Sequence, residues 1–268
     1  MYRVSAPAAI ALALFSTGAP VLAAIPSYIP SNEVDVRLDV STAIRPGSQV
    51  VGYAYVVRSL PDSRQNVYNL ILSYEAAISS AAAPQGWSSD DMTRGHWSFG
   101  VGFNGLLIRP GQSLGPLVLE SAGLPAVEAF FAQGDAPVPL MPGSDVSEQD
   151  YKAFLQALTW QKDSFKGYTV APGPVTTSSP VASIVSFLAA QKEKAAGLGW
   201  IDNGGVVNSL DVKLDAAQRA LSRGDTKAAR GELAAFENEV KAQSGKHLDG
   251  NAVAILQTGA EVALNDLQ

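Results

Sequence analysis

The sequence predicts an α+β protein of two domains, an N-terminal antiparallel β-sandwich followed by a C-terminal antiparallel helical bundle. Three observations carry this. Short runs rich in β-branched and aromatic residues recur between Glu33 and Glu120, with turn residues and no helix between them. From Val181 onward the apolar residues fall three and four apart instead of two. Residues 171–179, Ala-Pro-Gly-Pro-Val-Thr-Thr-Ser-Ser, separate the two regimes as a linker-like stretch.

The chain opens with Arg3, an apolar run from Val4 to Phe15, the small and turn-forming residues Ser16 to Pro20, and Val21-Leu22-Ala23. Positive start, apolar middle and small residues before a cut are the order of a secretory signal, so residues 1–23 are expected to be removed and the mature chain to start at Ala24. A run of about 12 apolar residues, broken by Pro7, is short of the roughly 20 needed to cross a bilayer. The chain holds 19 Lys plus Arg against 25 Asp plus Glu; removing Arg3 leaves 18 − 25 = −7 for the mature protein. That balance argues against nucleic acid and membrane surfaces as ligands. The absence of Cys excludes disulfides, thiolate metal sites, cysteine nucleophiles and a lipoprotein anchor.

The first strand is read from Val34, Val36, Leu38 and Val40, which alternate with Glu33, Asp35, Arg37 and Asp39. Gln49–Val57 and Val67–Tyr74 follow, separated by Leu60-Pro61-Asp62-Ser63, then His96–Phe103, Gly105–Ile108 and Leu114–Glu120. Ile44-Arg45-Pro46-Gly47 is echoed by Ile108-Arg109-Pro110-Gly111; Pro then Gly suits the two central positions of a type II turn, so both are read as sandwich corners. Tyr151, Phe154, Leu155 and Leu158 predict a short helix from Ser147, and Ser164–Val170 a last strand. The first bundle helix is read with Ser179 as N-cap and Pro180 at its first position, ending near Gly197. A second spans Val206–Ser222, a third follows the cap Asp225 to Gln243, and a fourth follows Asp249. The domains are thus 24–170, a linker 171–179, and 180–268.

Gly205, Asn208-Ser209-Leu210, Lys213-Leu214, Ala217, Leu221, Gly224-Asp225, Ala229, Leu233, Phe236, Val240 and Gln243-Ser244-Gly245-Lys246 together resemble the FIMAH domain, a helical module of secreted bacterial proteins, over Gly199 to about Leu264. The resemblance implies export and a modular architecture, and brings no catalytic residue with it. Pro84-Gln85-Gly86-Trp87, Trp97 and the Ile-Arg-Pro-Gly turn are loosely similar to uncharacterised secreted β-sandwich proteins.

Candidate chemistry is sparse. The two histidines, His96 and His247, fall in different domains, and no Gly-x-Ser-x-Gly elbow surrounds a Ser, which argues against a triad and against zinc. Asp145, Glu148 and Asp150 suit a helix start, and no EF-hand pattern is present. Tyr53 and Tyr55 share a strand face and are read as core. Trp87, in a Pro-Gly loop followed by Asp90 and Asp91, is the exposed aromatic expected to meet a ligand. The expectation is a secreted, non-enzymatic binding or surface-association protein without cofactor, whose partner is an extracellular protein or a glycan. The alternative is an extracellular polymer hydrolase using paired carboxylates.

Overall fold

A computed structural model describes residues 32–92, 95–102, 105–135, 147–149, 152, 159 and 163–268. Its strands are β1 (Val36–Ile44), β2 (Val51–Ser59), β3 (Val67–Ser73), β4 (Ile78–Ala82), β5 (Trp87–Asp91), β6 (His96–Val101), β7 (Ser113–Ser121), β8 (Gly123–Gly134) and β9 (Phe165–Thr176). The helices are α1 (Val181–Gly197), α2 (Gly204–Ser222), α3 (Thr226–Gln243) and α4 (Gly250–Asn265). The strands form two antiparallel sheets, in the orders β1-β2-β7-β4 and β5-β6-β3-β8-β9.

Alternation decides the faces. Val36, Leu38 and Val40 of β1, and Val51, Tyr53, Tyr55 and Val57 of β2, are buried while the residues between them are at least partly open. Leu70, Leu72, Phe99, Leu117, Leu119 and Phe130 come from the other strands to complete the sandwich core. Tyr53 and Tyr55 are fully buried, as expected for core, and the Tyr53 hydroxyl donates to the Gly123 carbonyl at 2.6 Å.

Both Pro-Gly turns form, with Gly47 and Gly111 at φ of 71° and 78°, values that favour glycine. Their roles differ. The first closes the β1–β2 hairpin within one sheet. The second carries the chain from Ile108, bridged to Val67 of β3, across to β7 in the other sheet. Only the second is a corner between sheets. Gly105–Ile108 contributes that bridge rather than a strand.

Residues 171–179 are corrected by the structure. Instead of a linker, Ala171–Thr176 completes β9, paired with β8 through Ala171↔Ala126 and Pro172↔Pro125. β9 is an end strand, where the missing proline N–H leaves no ladder bond unmade. Only Thr177–Pro180 separates it from α1. Ser179 is not the helix cap: its hydroxyl accepts from the Thr176 N–H at 3.0 Å, and Pro180 occupies the cap position with no side-chain bond. Near the expected short helix, Glu148, Gln149 and Lys152 are helical and Lys152 pairs with Glu148 at 2.7 Å; Asp145, Asp150, Tyr151, Phe154, Leu155 and Leu158 lie outside the described residues.

The remaining helix starts follow the cap chemistry. Asn203 accepts from the Gly205 and Val206 N–H groups, Asp225 from Ala228, and Asp249 from Ala252. Gly224 and Gly245, at φ of 73° and 70°, follow α2 and α3. Leu210, Leu214, Ala217, Leu233, Phe236 and Val240 pack inside the bundle. Lys192 of α1 is fully buried and pairs with Glu193 at 2.6 Å and with Asp211 of α2.

Bundle and sandwich share one continuous core. α4 packs on α1 and α3 and also on β1, β8 and β9, so it is buried on most of its circumference. β1 and β9 are end strands of opposite sheets and touch each other, so α4 covers the seam where two open edges meet. Thr42 of β1 donates to the Ala254 carbonyl at 3.1 Å and its hydroxyl lies 2.8 Å from that of Thr258. The Val127 N–H of β8 donates to Gln191 of α1 at 2.8 Å in a buried setting. At the opposite seam β4 and β5 touch, and their exposed residues are short or acidic, which blunts edge pairing.

Candidate functional site

The ligand loop expected around Trp87 is a strand. Trp87 is 7% exposed and belongs to the core, and its indole N–H donates to the Leu106 carbonyl at 3.0 Å. The expectation of exposure is corrected: pairing of β5 with β6 draws the ring inward, opposite Val101. Asp90 and Asp91 are exposed, and as successive strand residues they point to opposite faces. Asp91 accepts from the Tyr74 hydroxyl at 3.0 Å. The three residues therefore share a strand without converging on one cleft. His96 sits in β6 across from Ser73, and His247 lies in the loop after α3, far along the chain from it.

Two carboxyl groups do meet, Glu75 after β3 and Glu128 of β8. Burial, then the charge and hydrogen bond of Glu75, push Glu128 up to about 7, against a smaller opposing pull from Lys194. Groups that share a hydrogen bond are closer than the about 5–10 Å that glycoside hydrolysis uses between its two carboxyls. Among the described residues, no group of three or more His, Cys, Asp and Glu is placed to hold a metal ion.

Among the described residues, concave surface lies along the seam that α4 covers. Three depressions adjoin there. One, of about 320 Å³, is lined by Arg37 of β1, Trp200 and Asp202 of the α1–α2 loop, and Lys246, His247 and Asp249 before α4. It shares Gly250 with a second, of about 300 Å³, between Val40, Ser41 and Thr42 and the α4 residues Val253, Gln257, Thr258 and Glu261. That one shares Glu261 with a third, of about 540 Å³, formed by the Ile44–Gln49 turn and Asn265. Gly250 opens α4 and Asn265 ends it, so the groove follows the helix for about 24 Å at 1.5 Å per residue.

Its lining is hydroxyl- and amide-rich, with an aromatic ring at one end. Trp200 is held on both sides by backbone bonds, its N–H to the Ala195 carbonyl and its carbonyl from the Asp249 N–H. His247 Nδ1 lies 2.7 Å from Asp202. Burial raises the Asp249 carboxyl, while its bonds to the Ala252 and Asn251 N–H groups and the charge of Arg37 pull it back. At Asp39 burial acts the same way but loses to the hydrogen bonds and charges of Arg58 and Arg37, which hold the carboxyl below its ordinary range.

Apart from His247, weighed only as one of two distant histidines, none of these groove residues stood out in the sequence as a ligand candidate. Thr42 and Thr258 stand 216 positions apart. The available signal was weak: Gln257, Thr258 and Glu261 interrupt an otherwise Ala- and Leu-rich helix.

No curated protein matches the chain. Among the described residues, no helix is long and apolar enough to cross a membrane. Residues 186–265 match the family model described as the FIMAH domain, beginning inside α1 and ending with α4.

Proposed function

We propose that this is an exported, non-enzymatic binding protein that holds an extended glycan in the groove along α4. The groove carries the reading: it is long, open, lined by side chains that exchange hydrogen bonds with hydroxyl groups, and walled by sandwich on one side and helical module on the other. An extended peptide adding to β1 as an extra strand is disfavoured, because α4 already packs beside that strand. The signal read in residues 1–23 is part of the proposal, with the FIMAH match in its support. The close Glu75–Glu128 pair weighs against the hydrolase alternative.

The test is retention of the mature chain on immobilised oligosaccharides, with Gln257→Ala in the groove wall as comparison. Retention that the substitution weakens, with no new reducing ends released, is the expected result. Released ends, or retention indifferent to Gln257, would overturn the reading.

A further inference from the structure

Charge is distributed unevenly along the groove. At its Trp200 end the cations Arg37 and Lys246 share a lining with the carboxylates Asp202 and Asp249, so that pocket is balanced. The middle depression holds a single ionised side chain, Glu261 of α4, and no cation. The same residue borders the depression at the Ile44–Gln49 turn, where Arg45 is the other charged group. Arg45 is already paired with Glu120 of β7, whose second oxygen accepts from the Ser80 hydroxyl at 2.7 Å. Arg45, Glu120 and Glu261 therefore leave one negative charge in excess. Glu261 is exposed, and its carboxylate has no ion pair or hydrogen bond among the described residues.

The helix itself adds to this field. Glu261 is the only charged side chain between Gly250 and Asn265, and the last turn of α4 carries no basic residue. The negative end of the helix dipole thus reaches the turn depression uncompensated, with exposed Asp266 next in the chain. The other polar groups beside Glu261 are neutral. Ser41 and Gln257 have no side-chain hydrogen-bond partner among the described residues, while the Thr42 and Thr258 hydroxyls lie 2.8 Å apart.

We propose that the groove recognises a glycan by a free amine on one of its units, an unacetylated hexosamine whose ammonium group meets Glu261. This rests on the glycan reading above and names the sugar class within it. The ammonium donates to the Glu261 carboxylate in a charge-assisted bond, and Ser41 and Gln257 serve the neighbouring hydroxyls. A uronate or sulfated unit at the same place would meet a carboxylate and a helix end of like sign. An N-acetyl group would leave Glu261 facing an uncharged amide.

The experiment is calorimetric titration of the mature chain with two chitin-type trisaccharides. They are identical except that the middle unit carries a free amine in one and is acetylated in the other, and mildly acid buffer keeps that amine protonated. The free-amine form is expected to bind about fivefold more tightly, the upper end for an ion pair that water reaches. Glu261→Gln should erase the preference and leave the acetylated form unchanged, and added salt should shrink the preference. Asp215→Asn removes the same charge from α2, outside the groove, and should leave the preference intact. Gln257→Ala should weaken both forms alike. Glu261 and Asp215 are exposed, so both variants fold. Equal affinity for the two forms, binding of neither, or a preference that survives Glu261→Gln or is lost equally with Asp215→Asn overturns the amino-sugar assignment. The groove reading is judged separately: it stands where retention on an immobilised oligosaccharide, of whatever sugar, depends on Gln257.

Discussion

The buried ammonium of Lys192 yields an asymmetric prediction. Its side chain is fully inaccessible, whereas its partners Asp211 and Glu193 are 39% and 66% exposed. Asp211→Ala strands a charge in the interior with one exposed partner. Breaking a buried pair in this way costs about 3–5 kcal/mol, and the retained Glu193 places the value near 3. Lys192→Met removes the charge together with its desolvation cost, keeps the length of the stem, and frees two carboxylates that water already reaches. That change should fall within about 1 kcal/mol of neutral. For a chain of this size 1 kcal/mol moves Tm by about 2–4 °C, so Asp211→Ala should lose about 6–12 °C and Lys192→Met at most about 4 °C. Urea and thermal unfolding followed by far-ultraviolet circular dichroism read both values. The Lys192→Met/Asp211→Ala double variant should return close to Lys192→Met, since no buried charge is left unpaired. An Asp211→Ala chain no less stable than Lys192→Met would refute the reasoning.

Two further outcomes follow from the geometry. Glu128 is held at about 7 in the fold against an ordinary 4.5, so its contribution to stability is full below about 4.5 and lost as the pH rises through about 7. Glu128→Gln should flatten that decline and raise stability at pH 8 by roughly 1 kcal/mol after allowance for solvent screening, visible as a Tm profile that no longer falls across neutral pH. Asp225→Ala should cost about 1 kcal/mol through the lost Ala228 cap and Asp225→Asn only a fraction of that, measured by urea midpoint at constant slope.

The sequence was most legible where local chemistry decides. The alternation in β1 and β2, the Pro-Gly turns and the caps Asp225 and Asp249 depend on neighbours a few residues away. Strands recruited by their partners were not legible. β5, Trp-Ser-Ser-Asp-Asp, has little strand propensity and exists because β6 pairs with it. β8 reads as Gly-Leu-Pro-Ala-Val-Glu-Ala-Phe-Phe-Ala, without clean alternation, because β3 and β9 flank it while α1 and α4 pack over it. The prolines of β9 suggested a linker because sequence alone does not say which strands are edges. The groove was beyond local reasoning altogether, its walls being the first strand and the last helix.

The short passage Thr177–Pro180 has a mechanical consequence for that groove. With no slack between β9 and α1, and with Gln191 and Thr258 fastened to the strands opposite, its two walls cannot swing apart. For the extended glycan proposed above, walls tied together in this way call for no opening step before the chain lies down between them.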